Sequence, residues 1–320
     1  MDKEKLIETI KKSRPNAKDS TLKMYASNLI KLMKIYDKDN LDFLKSPDQL
    51  EEKLGKLHYT TRRNYLNSVI VYLMSVKEKD DPLIKEFSDL RDSLNKQYEE
   101  EQATGIISDK QKENFVDISE VNKMINQMGT EIKDKKIKKK EDLTAKDKSL
   151  IQVYTLFNIY TRLPLRNDLA GMEVINKRAY NKLSEEEKKA ENYLVINKNN
   201  MFFVLNQYKT SSKYKELKID IPKDLEKVLR QYIRINGMGV LFKSSTGKAL
   251  SRNALSQLLL KTSQKYMGKS ISSTMLRKIY LSSKYGDMKE ELEKDNKVMG
   301  HSKEVAMDTY IKKVQVEKDE

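Results

Sequence analysis

The sequence predicts a mainly α-helical protein with a small antiparallel β-sheet. Three observations carry this: apolar residues recur at helical spacing through the first hundred residues, a strong amphipathic stretch returns at 143–160, and strand patterning is confined to 193–221. In the first hundred residues, Leu22, Tyr25, Ala26, Leu29, Ile30, Leu32 and Met33 repeat at helical intervals behind an N-cap at Asp19 or Ser20. A second helix starts near Thr60-Thr61 and carries Tyr65, Val69, Tyr72 and Leu73 on one face. Pro82 opens a third, through Leu83, Phe87, Leu90 and Leu94, since proline is well suited to a first helical turn.

These helices predict a small bundle as one domain over 1–105, a polar linker over 106–118, and a second domain over 119–320. The lysine-rich run 133–140 reads as an exposed loop between helical patterns. From Leu143 to Tyr160, Leu150, Val153, Tyr154, Phe157 and Ile159 supply the apolar side of a helix, and Arg166 follows shortly after Pro164. Tyr193–Ile196 and Met201–Leu205 flank Asn197-Lys198-Asn199-Asn200, which is a hairpin pattern. Leu217–Ile221 alternates and ends at Pro222, giving a third strand, with a polar turn Tyr208–Lys213 before it. Helices are expected again at Lys223–Ile235, Arg252–Tyr266, Thr274–Tyr285 and after Ser302.

Composition narrows the function. Cysteine is absent and histidine occurs twice, so disulfides and thiolate metal sites are excluded and no metal or other cofactor is expected. No apolar run reaches membrane length and no signal peptide is visible, so a soluble, intracellular protein without a membrane partner is expected. The net charge is +15 and is unevenly placed: residues 1–105 hold 20 basic and 19 acidic side chains, whereas 106–320 hold 43 and 29. A basic surface of that size favours a polyanion through counterion release, and double-stranded DNA is the expected partner.

The same basic region carries the candidate chemistry in a fixed order. Arg166 lies in Pro164-Leu165-Arg166-Asn167-Asp168-Leu169, and Lys209 lies in the polar turn with Lys213 and Lys215 close behind it. Arg277 lies in Thr274-Met275-Leu276-Arg277-Lys278, His301 in Met299-Gly300-His301-Ser302, and Tyr310 nine positions after that histidine. Guanidinium groups stay charged and donate paired hydrogen bonds, so two of them can clamp the non-bridging oxygens of a phosphodiester under in-line attack. A phenol with a pKa of about 10 needs a base or an electropositive pocket to attack. A lysine among other cations can protonate the leaving 5′-oxygen.

This order resembles the catalytic domain of tyrosine recombinases, the phage-type integrase and Cre/Xer-like site-specific recombinases. The resemblance spans most of the chain: a helical core-binding domain, then a mixed α/β DNA breaking-rejoining domain. It implies a site-specific recombinase or integrase that cuts DNA through a covalent 3′-phosphotyrosyl intermediate, without ATP or metal, as a homotetramer on two DNA sites. By position it makes Arg166 and Arg277 the two arginines, Lys209 the β-turn lysine, His301 the late histidine and Tyr310 the nucleophile. Thr274 stands where the family has a histidine three residues before the second arginine, and Asp168 brings the acidic residue of the first motif one position early.

Arg62 and Arg63, at the start of their helix, and Lys213 in the polar turn are DNA-binding candidates, with a solvated face as the alternative for the two arginines, and His58 is expected to be structural. Two rival readings share these residues. One is a type IB topoisomerase-like enzyme that relaxes DNA as a monomer. The other is a non-catalytic DNA-binding protein that uses Arg166 and Arg277 only to grip phosphates.

Overall fold

Helix starts in the first hundred residues are set by capping groups and prolines. The Asp2 carboxylate accepts from the Lys5 amide at 2.8 Å to open α1 (Lys3–Ser13). In α2 (Asp19–Tyr36) the cap is Lys18, one residue before the expected position and without a side-chain cap bond, and the Asp19 carboxylate is ion-paired with Lys23 at 2.6 Å. Ser46 caps α3 (Pro47–Leu54), the His58 ring caps α4 (Tyr59–Val76), and Pro82 opens α5 (Pro82–Ala103). Helices α1, α2, α4 and α5 pack around one core that includes Leu6, Leu29, Leu32, Leu66, Val69 and Phe87. Helices α1 and α3 went unread because each buries only two apolar residues, Leu6 with Ile10 and Leu50 with Leu54, too few to show a period.

The computed structural model describes residues 1–103 and 109–299, and the chain divides into two units, Met1–Ile107 and Ser108–Glu320. In the second unit, the expected linker over 106–118 is corrected in its described part. After α6 (Asp109–Lys112), Val116 is buried in the core with Phe115 and Ile118 packed against it. The Lys269 ammonium donates to the Glu113 carbonyl, and the Ser270 amide donates to Asn114 Oδ1, each at 2.7 Å. These apolar contacts make the segment part of the unit rather than a tether.

Helix α7 (Ile118–Asp134) lies against α8 (Ala145–Tyr160), which opens with a capping box between Thr144 and Asp147. The C-terminal half of α8 is buried on every side rather than along one stripe, from Val153 through Tyr160 with only Tyr154 partly accessible. It is the central helix of the unit, in contact with α7, α12 (Lys223–Asn236), α13 (Arg252–Met267) and α14 (Ser273–Met299). The lysine run expected as loop forms the end of α7 and a short 3-10 turn, Ile137–Lys139.

Both strands of the predicted hairpin have the predicted bounds, β2 (Tyr193–Ile196) and β3 (Met201–Leu205), and β4 (Leu217–Asp220) pairs antiparallel with β3. The sheet is larger than expected and mixed. Its order is β4-β3-β2-β1-β5, with β1 (Glu173–Asn176) parallel to β2 and antiparallel to β5 (Gly239–Val240). The parallel pairing follows from the crossover between β1 and β2, which contains α9 (Lys177–Tyr180) and α10 (Glu185–Ala190).

Side chains on β2 and β3 alternate between two apolar environments. Leu194, Met201, Phe203 and Leu205 enter the main core, while Tyr193, Val195, Phe202 and Val204 form a second cluster under Tyr180 and Leu183. Burial on both faces explains why these strands read as unbroken apolar runs. Among the described residues, no helix is long and apolar enough to cross a membrane.

Candidate functional site

The first arginine sits in a turn, not on a helix. Arg166 is exposed and extended, with φ −80° and ψ −176°, at the entry to a 3-10 turn formed by Asn167–Leu169. Leu165 and Leu169 are buried on either side of it, which anchors the turn. Tyr160, at the buried end of α8, donates to Asn167 Oδ1 at 2.9 Å and to the Arg166 carbonyl at 3.3 Å. Asn167 in turn donates to Ser256 Oγ on α13 at 2.6 Å. The following Gly171 has φ +75°, a conformation that an L side chain rarely adopts, and it turns the chain into β1.

Asp168 is the centre of the site. It is 6% exposed, and its carboxylate accepts from Arg252 Nη2 at 2.9 Å. Burial raises its pKa above the ordinary carboxylate value, while Arg252, Arg166 and Arg277 act in the opposite sense. Three guanidinium groups from a turn, the start of α13 and the first turns of α14 therefore lie close enough to act on one carboxylate. Tyr160 is affected by the same groups: burial raises its pKa, Asp168 raises it further, and Arg277 opposes the change.

Arg277 is half-buried on α14, and its Nε is buried with no hydrogen-bond partner among the described residues. A guanidinium N–H taken out of water and left unpaired is costly unless an acceptor arrives. Thr274, one turn earlier, is exposed. It offers a hydroxyl that can hydrogen-bond a phosphate oxygen and has no capacity to act as a base at neutral pH.

The lysine turn is longer than a simple β-turn and contains a short helix, α11 (Ser211–Tyr214). Lys209 is exposed and begins this loop, immediately after Tyr208, which is buried and donates to the Lys215 carbonyl at 2.7 Å. Burial raises the Tyr208 pKa, with Tyr214 and Asp168 adding to the effect. Lys213 lies on α11 with its ammonium 5.2 Å from the centre of the Tyr214 ring. Lys215 has φ +57°, and its carbonyl is the one that Tyr208 holds.

Arg252 joins Asp168 to Gln207 at the start of the Lys209 loop, and the charges of Arg166 and Arg277 act on the same carboxylate. His301 and Tyr310 lie outside the described residues. In the first unit, Arg62 is ion-paired with Glu51, and Arg63 lies 4.6 Å from the centre of the Tyr98 ring and donates to Asn95 at 3.4 Å. His58 caps its helix and lies against Tyr59, with ring centres 4.3 Å apart.

Sequence reasoning missed Arg252, Asn192 and Tyr160. Arg252 did carry a signal. Arginine occurs 11 times against 52 lysines, and a cation in the first turn of a helix opposes the helix dipole. An arginine at that position therefore points to a specific carboxylate partner. Asn192 and Tyr160 gave none, because their hydrogen bonds are tertiary.

No protein-family model matches the chain, and no curated protein matches it. Among solved structures, the chain is similar to a XerA recombinase at TM-score 0.35 and 8% identity, over 94% of this chain and 90% of that one. It is also similar to XerH site-specific recombinase bound to a palindromic difH substrate in a post-cleavage complex, at TM-score 0.48 and 14% identity over 94% and 78% of the two chains. A pre-cleavage complex of XerH with its difH substrate gives TM-score 0.46 and 13% identity over 98% and 85%. These are low-level likenesses of fold, and the functional reading rests on the residues of this chain.

Proposed function

We propose that this protein is a DNA strand transferase of the tyrosine recombinase type, acting on double-stranded DNA. The observation that supports the reading best is the convergence of Arg166 and Arg277 on Asp168, with Arg277 Nε buried and unpaired among the described residues. In this reading the two guanidinium groups hold the non-bridging oxygens of one phosphodiester and stabilise the charge that builds on them during attack. Tyr310 Oη attacks the phosphorus in line and releases its proton to solvent. The P–O5′ bond breaks as the P–Oη bond forms, and the Lys209 ammonium gives a proton to the departing O5′. The product is a 3′-phosphotyrosyl ester, and attack by a 5′-hydroxyl returns the enzyme and a rejoined strand. One phosphoester replaces another, so no nucleotide cofactor is consumed.

His301 would hydrogen-bond the phosphate or the nucleophile. Four copies on two DNA sites would carry out paired cleavage and strand exchange. A nicked DNA substrate that loses its 5′-hydroxyl fragment after cleavage tests the proposal. A covalent protein–DNA adduct with the wild type, absent with Tyr310→Phe, supports it. No adduct where DNA binding saturates refutes it.

The exposed threonine at position 274 favours a second reading, a DNA-binding protein without strand cleavage, since that position offers no base. On that reading Tyr310→Phe changes no activity of the protein.

A further inference from the structure

Lys209 lies on the loop that follows β3, and a proton donor displaced by about 1 Å can slow its step roughly 10²-fold. Two side chains outside the expected set tie the root of that loop to the turn that carries Arg166. Asn192, at the entry to β2, is 5% exposed. Its Nδ2 donates to the Asp168 carbonyl at 2.9 Å and to the Gln207 carbonyl at 3.1 Å. Its Oδ1 accepts from the Asn206 and Gln207 amides at 2.8 and 2.7 Å. Four hydrogen bonds use the full capacity of a carboxamide.

Arg252 makes the same connection from the surface. Its Nη2 donates to Asp168 Oδ1 at 2.9 Å and to the Gln207 carbonyl at 3.1 Å. Asp168 and Gln207 are therefore bridged twice, by a buried amide and by an arginine whose side chain is 58% exposed. Asn206 and Gln207 are also held by the α10 carbonyls of Lys188 and Lys189 at 2.8 and 2.6 Å, which fixes the loop to the crossover helix but not to the arginines. Only Tyr208 separates Gln207 from Lys209.

We propose that Asn192 and Arg252 are positioning residues that set the Lys209 loop in register with Arg166 and Arg277, so that proton delivery to the leaving oxygen depends on both. This rests on the DNA-cleavage reading. Within it, Arg252 acts through Lys209, because both N–H groups of its Nη2 are committed to the Asp168 carboxylate and the Gln207 carbonyl.

The test compares cleavage of ordinary DNA with cleavage of DNA whose scissile 5′-bridging oxygen is replaced by sulfur. A thiol has a pKa of about 8.5, so the thiolate leaves without being protonated, and a defect confined to proton delivery disappears. Arg252→Ala and Asn192→Ala are expected to slow cleavage of ordinary DNA by roughly 10- to 100-fold. Both should return to within about threefold of wild type on the sulfur substrate, as Lys209→Ala should, since none of them removes a phosphate-clamping group. Arg277→Ala should stay slow on both. Arg252 is exposed, so its truncation opens no core, and it decides the matter if Asn192→Ala loses its cooperative melt.

Equal impairment of Arg252→Ala on both substrates, or none on ordinary DNA, overturns the inference while leaving the cleavage reading standing. A wild type that cleaves neither substrate overturns both.

Discussion

Arg252 Nη2 lies 2.9 Å from Oδ1 of Asp168, across 84 residues of sequence, and this contact joins the start of α13 to the turn that presents Arg166. A cation is disfavoured at a helix N-terminus, and the carboxylate offsets that cost. The pair leaves Asp168 under the influence of three guanidinium groups.

Replacing Arg277 with lysine keeps a charge but removes the planar pair of donors. Single-turnover formation of the covalent adduct should fall by about 10²-fold or more, as for loss of one preorganised transition-state donor. DNA affinity, measured by anisotropy on the same duplex, should fall far less.

Phosphate contacts are read directly by salt. The affinity for duplex DNA should drop linearly on a log–log plot against salt, and Arg166→Ala should reduce that slope by about 1. A slope unchanged from wild type in a titration series would place Arg166 away from the DNA backbone.

Tyr160→Phe removes the hydroxyl that holds Asn167 Oδ1 at 2.9 Å while keeping the buried ring. Stability, measured by urea unfolding, should fall by about 1 kcal/mol. Adduct formation should slow as well, because the Arg166 turn loses its tie to α8.

Asp147 gives a pH signature remote from the site. Hydrogen bonds from Lys140 and then from Thr144 hold its carboxyl below the ordinary range. A depressed folded pKa means the stabilisation is fully present above the ordinary aspartate pKa of about 3.9 and is lost as pH falls through the lowered folded value. The stability gap between wild type and Asp147→Asn, followed by urea unfolding, should be flat from neutral pH to about pH 5 and close below about pH 4.

The parts legible in the sequence were those whose pattern is local. Tyr193–Ile196 and Met201–Leu205 are bounded on one side by a turn of asparagines, so their limits could be read directly. Strands β1 and β5 could not, being four and two residues long and held by partners elsewhere in the chain. Arg166, Lys209 and Arg277 stood out by order and chemistry. Asp168 was noticed only as a misplaced acid, and its role depends on Arg252, whose place in a first helical turn hints at a carboxylate partner without saying which. Asn192 is one asparagine among many in the sequence, and only the folded chain shows its four hydrogen bonds.

The wide separation of these contacts along the chain also governs when the cluster can exist during synthesis. A ribosome-bound chain that has exposed Arg166 and Asp168 still lacks Arg252 and Arg277, and long-range pairings of this kind form after local helices do. Truncated translation products ending before α14 would therefore carry much of the basic surface without the assembled arginine cluster.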